Sequence, residues 1–139
     1  MFDITSQAAA DTAPIHLKGR DGEYLYHDGN PVRIIVYGPG SKEFAAVEAR
    51  QTSRALKRMQ DNDGKPSAPA PDVRVAEQAE DLADLTAAFE NLDYKPAAGK
   101  SGRELFKALY SDTRLGFIPP QIMKAVKDWS VFKAGSAES

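Results

Sequence analysis

The sequence predicts an α+β protein, mainly α: a small N-terminal antiparallel β meander followed by about four helices. Three observations carry that prediction. Residues 14–37 alternate short apolar runs with turn clusters. Beyond Gly40, apolar residues recur every three or four positions in separate blocks. Between two of these blocks lies DNDGKPSAPAPD, residues 61–72, with three prolines, one glycine and no large apolar side chain. Such a stretch reads as a linker, dividing a 14–60 piece from a helical region at 73–132.

Taken in order, residues 1–13 are small and polar and are expected to be a flexible N-terminus. Ile15 to Lys18 is a short strand, closed by the turn signal Arg20-Asp21-Gly22. Glu23 to Tyr26 is a second strand, and His27-Asp28-Gly29-Asn30-Pro31 a second turn. Val32 to Tyr37 is the strongest strand, since Val32, Ile34, Ile35 and Val36 are all β-branched. Three such strands are marginal alone and should pack against a helix. Gly38-Pro39-Gly40 breaks the strand, and Ser41 can cap a helix from about Lys42 to Met59. Phe44, Val47, Ala55, Leu56 and Met59 form only a thin apolar stripe there, so this helix should be half-exposed.

The next helix is expected from about Val73 to Leu92. Val75, Ala79, Leu82, Leu85, Thr86, Phe89 and Leu92 share a face opposite Glu77, Glu80, Asp81, Asp84 and Glu90. Ser101 and Glu104 have the spacing of a capping box opening a third helix that ends near Ser111. Thr113 to Phe117 reads as a loop. Pro119 then suits the first turn of a fourth helix reaching about Phe132, with Ile122, Val126 and Trp129 buried. A flexible tail, 133–139, should fray.

Composition narrows the function. The formal charge is -2, from 18 basic and 20 acidic residues, so there is no bulk attraction to phosphate or to anionic lipid. The absence of cysteine excludes disulfides, thiolate metal sites and cysteine nucleophiles. The first residues lack the basic and apolar segments of a secretory signal, and no run is apolar and long enough to span a bilayer. A soluble protein that needs no membrane is expected.

Candidate chemistry is sparse. His16 and His27 have no partner histidine at ligand spacing and read as ordinary strand and turn residues. Asp61-Asn62-Asp63-Gly64 resembles a calcium loop, but that register places Met59 and Ala70 at the first and last ligand positions. Gly38-Pro39-Gly40-Ser41-Lys42 lacks the first glycine of a Walker loop, and Pro39 removes one donor. Arg50, Arg54, Lys57 and Arg58 form a basic helical face without aromatic residues to stack on bases. That face is open to three readings: a solvated surface, a nucleic-acid contact, or charge pairing with residues 72–93, which hold seven acids against the lone Arg74. No nucleophile elbow or paired-carboxylate spacing appears, so no enzyme, cofactor or metal is expected. Tyr110, Phe117, Trp129 and Phe132 read first as packing between the last two helices and second as a surface that grips a partner.

Three stretches, in order, resemble a known family. They are NPVRIIVYGPGSKEFAAVEARQTSRALKRM, AEQAEDLADLTAAFENLDY and GRELFKALYSDTRLGFIPPQIMKAVKDWSVF, covering most of residues 30–132. Together they are similar to the tail assembly chaperones of long-tailed bacteriophages. The most specific part is C-terminal: Gly102-Arg103-Glu104, Leu109-Tyr110-Ser111-Asp112, Gly116-Phe117-Ile118 and Asp128-Trp129. Pro119-Pro120 stands where a more helix-friendly pair is expected, and the linker is proline-heavy for the family. The resemblance implies a non-enzymatic protein that binds the tape-measure protein, helps recruit tail-tube subunits, self-associates and acts in the host cytoplasm without remaining in the mature virion. It also implies that this chain is the short form of a pair related by frameshifting. On that reading the apolar edge of the second helix and the aromatic C-terminal helices make the contacts, through Leu85, Phe89, Phe117, Ile122, Trp129 and Phe132. The alternative is a minor structural tail protein retained in the virion.

Overall fold

A computed structural model describes residues 1–133; the rest of the expected tail, 134–139, lies outside the described residues. The architecture is α+β, mainly helical. Strand β1, Thr12–His16, pairs antiparallel with β4, Arg33–Tyr37, placing Thr12 opposite Tyr37 and His16 opposite Arg33. Pro14 is tolerated because β1 is an edge strand, where a missing N–H costs no central ladder bond. Between them, β2, Tyr26–His27, and β3, Asn30–Pro31, form a separate hairpin. Its turn residues Asp28 and Gly29 both have positive φ (52° and 77°), the geometry that matches strand twist in two-residue loops.

The expected meander is therefore corrected. The outer strands pair directly, and the segment between them joins the sheet's end through Leu25, which donates to the Leu17 carbonyl and accepts from Val32. The third strand comes from the far side of the linker. The helix expected to run to Leu92 stops: α2 is Pro71–Asp84, and Thr86–Glu90 is β5, paired antiparallel with β4. The sheet order is β1-β4-β5. Periodicity alone could not place this break. Thr86, Phe89 and Leu92 fit a helical stripe, but the open edge of β4 satisfies a strand's backbone groups and outweighs local propensity. Thr86 marks the switch: its hydroxyl, buried, donates to the Leu82 carbonyl (2.8 Å) and accepts from the Tyr110 hydroxyl (2.7 Å).

Helix α1 spans Lys42–Asp61 and is capped by Ser41, whose Oγ accepts from the Phe44 amide at 3.1 Å and donates to the Gly38 carbonyl. Helix α3 is Gly102–Ser111, and Ser101 is its N-cap, but no capping box forms. The Ser101 side chain makes no cap bond, and Gly102 enters the helix at φ +57°, away from the geometry the box needs. Residues Thr113–Leu115 make a short 3₁₀ turn within the expected loop. Helix α4 is Ile118–Val126 and takes both prolines in its first turn, where amides have no helical partner. It does not reach Phe132: a 3₁₀ turn at Trp129–Val131 follows, set by Asp128, whose carboxylate accepts from the Ser130 amide.

One core joins the sheet to the helices. Leu17, Ile34, Val36, Leu109, Ile122, Val126 and Phe132 are fully buried. Phe132 closes the structure, packing against Gly38 while its carbonyl accepts from the Ala10 amide at 2.9 Å. Among the described residues no helix is long and apolar enough to cross a membrane.

Candidate partner-binding groove

Helix α1 has 20 residues yet buries only Val47. Its neighbour α2 runs antiparallel to it, and the two are tied mainly by charge. Arg50 donates to Asp81 (Nη2, 2.7 Å) and Asp84 (Nη1, 2.7 Å). Arg54 donates to both oxygens of Asp81 (2.8 and 2.9 Å), and Arg58 pairs with Glu77. Gln51 adds a bond to Asp81 at 3.1 Å. Asp81 is the hub and is buried, and among the described residues α1 supplies every contact to its carboxylate. Arg103 of α3 approaches Asp84 from the other side (2.6 Å). Partial burial alone raises the Asp84 pKa, but Arg103 and Arg50 outweigh it and hold this carboxyl below the usual range. Of the three readings of the basic face, the structure selects pairing with the second helix for its three arginines.

Beside this ladder the helices stand apart, leaving a groove of about 390 Å³ closed at one side by α4. Phe44 and Val47 of α1, Leu82 of α2, Leu85 just past its end, and Met123 and Val126 of α4 supply its apolar lining; Phe44 and Met123 are half-buried, and the other four form a buried floor. Gln78 donates to the Met123 sulfur at 3.3 Å across it. Methionine in such a place lets the lining reshape around different occupants. Charged groups surround the lining: Glu48, Arg54, Arg58, Arg74, Glu77 and Lys127.

The six residues expected to bind a partner fall in different places. Leu85 lines the groove but is only 4% exposed. Ile122 and Phe132 are core, at 0% and 1%. Phe89 is half-buried on β5, its ring 4.7 Å from that of Phe106, and Phe117 is half-buried ahead of α4. Trp129, expected to be buried, is instead 61% exposed, because α4 ends before it and the 3₁₀ turn carries its ring over Gly40, just ahead of the α1 cap. The structure thus brings Leu85 to the groove and leaves Trp129 open near the start of α1; it does not gather the six into one surface. Arg74, Gln78, Met123 and Lys127 were not singled out from sequence as partner-binding residues. The thin stripe of α1 was the available signal, since a long helix with few apolar residues leaves a face uncovered.

Elsewhere, the buried Tyr110 hydroxyl has its pKa raised well above the usual range by burial. His16 stacks on Tyr24 (4.6 Å) and donates through Nε2 to the Leu25 carbonyl. A shallow concavity of about 620 Å³ under the hairpin holds none of the six. Among the described residues no group of three or more His, Asp or Glu is placed to hold a metal.

The fold and groove describe a small α+β chain with an uncovered helical face. No protein-family model, curated protein or solved structure matches it.

Proposed function

We propose that the protein is a non-enzymatic phage tail assembly chaperone, which binds the tape-measure protein, keeps it soluble and helps recruit tail-tube subunits in the host cytoplasm. The observation that carries this reading is the groove between α1 and α2, with apolar walls and a charged margin. The sequence resemblance over most of residues 30–132 agrees with it. A long helical tape measure exposes apolar stripes until the tube encloses it, and such stripes associate nonspecifically. Helix-in-groove docking covers a stripe of this kind through residues at i, i+3, i+4 and i+7. Its negative charge, -2 for the whole chain, is too small to solubilise a client alone, so apolar coverage is the main contribution.

Co-expression with the tape-measure protein tests the reading. The client should stay in the supernatant and co-purify with this chain, and quantitative mass spectrometry should find the chain in infected lysate but not in density-purified virions. A fixed copy number in virions would instead establish a minor structural tail protein.

A further inference from the structure

The margin of the groove carries an asymmetry of charge. On its α1 wall Arg54 and Arg58 are occupied by Asp81 and Glu77. Arg74 of α2 and Lys127, the residue that ends α4, also line the groove, are exposed, and make no ion pair among the described residues. Among the described residues the lining carboxylate without an ion pair is Glu48, on α1. The α2–α4 side therefore offers free cations, and the α1 side a free anion. From Phe44 to Arg58 the groove follows α1 for roughly 21 Å, at about 1.5 Å per residue.

Resting on the reading above, we propose that the groove takes one amphipathic helix of about 14 residues, with carboxylates along the flank facing α2 and α4. Its apolar stripe would lie over Phe44 and Met123, the half-buried part of the lining above the buried floor of Val47, Leu82 and Leu85, completing a bundle with α1, α2 and α4. Its carboxylates would meet Arg74 and Lys127, and a basic residue on the opposite flank would meet Glu48. Charge placed this way selects register and orientation more than it adds affinity. A helix with basic residues on the first flank is rejected by like charge.

The test uses the full chain and two fluorescein-labelled synthetic helices with the same leucine stripe, one flanked by glutamates and its twin by lysines. In anisotropy titrations at low salt the glutamate helix should bind at least about tenfold tighter. The double reversal R74E/K127E should invert that order, and an inverted preference itself demonstrates a folded groove. Equal binding of the two helices, binding of neither, or an unchanged order in R74E/K127E would overturn the proposal. So would a dimer, seen by sedimentation, that R74E/K127E abolishes without any peptide preference, since the occupant would then be a second copy. Tape-measure protein retained equally by the native chain and R74E/K127E would overturn this docking mode and leave the chaperone reading standing. Charge-selective peptide binding with no tape-measure retention would do the reverse.

Discussion

At position 38 any side chain would collide with the Phe132 ring, because a Cβ there would stand 2.5 Å from its Cδ1. Phe132 is 1% exposed and has no room to retreat. Gly38→Ala should therefore cost about 1–3 kcal/mol, as overpacking does in a filled core. A fall in the urea midpoint at unchanged m-value would register it. Trp129 is the opposite case. Its ring is largely in solvent, so Trp129→Ala should leave stability within about 0.5 kcal/mol. It is a clean probe of binding for that reason. If the tape-measure protein also docks beside Gly40, ahead of α1, Trp129→Ala should weaken co-purification while the urea curve stays put; unchanged co-purification would place docking elsewhere.

At the scale of elements, α1 is held by charge where most helices are held by apolar burial. Asp84 has a depressed pKa in the folded chain. A depressed carboxylate contributes stability that is present above its unfolded value, 3.8, and is lost as pH falls through the lower folded value. The tether should thus loosen below pH 3.8, and also at 1 M salt, where screening shortens to about 3 Å. Hydrogen exchange should show amides of residues 50–61 accelerating under either condition before those of α3 do. Uniform exchange across both helices would show that packing, not charge, holds α1. Asp81→Ala should have the same local effect at neutral pH and cost about 2–3 kcal/mol, less than for a fully buried pair because Arg50 and Arg54 keep some solvent. Much of this scale was readable in the residues. Ser41 and the β-branched run at 32–36 set α1 and β4 where they are, since caps and pleated faces are local physics. The acidic residues from Asp72 to Asp93 made pairing with Arg50, Arg54 and Arg58 one of three readings of the basic face, and the ion pairs select it. β5 was hidden because its reason for being a strand is the edge of β4, far away in sequence. Trp129 was misplaced because one Asx-type turn at Asp128 redirects the chain after α4. The groove was hidden too, because its walls come from three helices and periodicity says which faces are apolar, not which remain uncovered.

For the whole molecule, the linker does not separate two independent bodies. β5 lies beyond it and pairs with β4 before it, and one core contains Ile34, Leu82 and Ile122 together. A single protease cut between residues 62 and 70, the exposed stretch joining α1 to α2, should leave both fragments bound. They should co-elute in native gel filtration and separate only in denaturant; separation under native conditions would show that the two pieces fold apart. The same arrangement bears on synthesis. A ribosome releases β1 and β4 long before β5, and Phe132, which seals Gly38, emerges later still. Until β5 emerges the nascent chain presents an unpaired β4 edge carrying Ile34 and Val36, a template for any passing strand. Pairings this distant along the chain form slowly. The protein is therefore most exposed to misassembly during its own translation, when neighbouring copies on one polysome are closest.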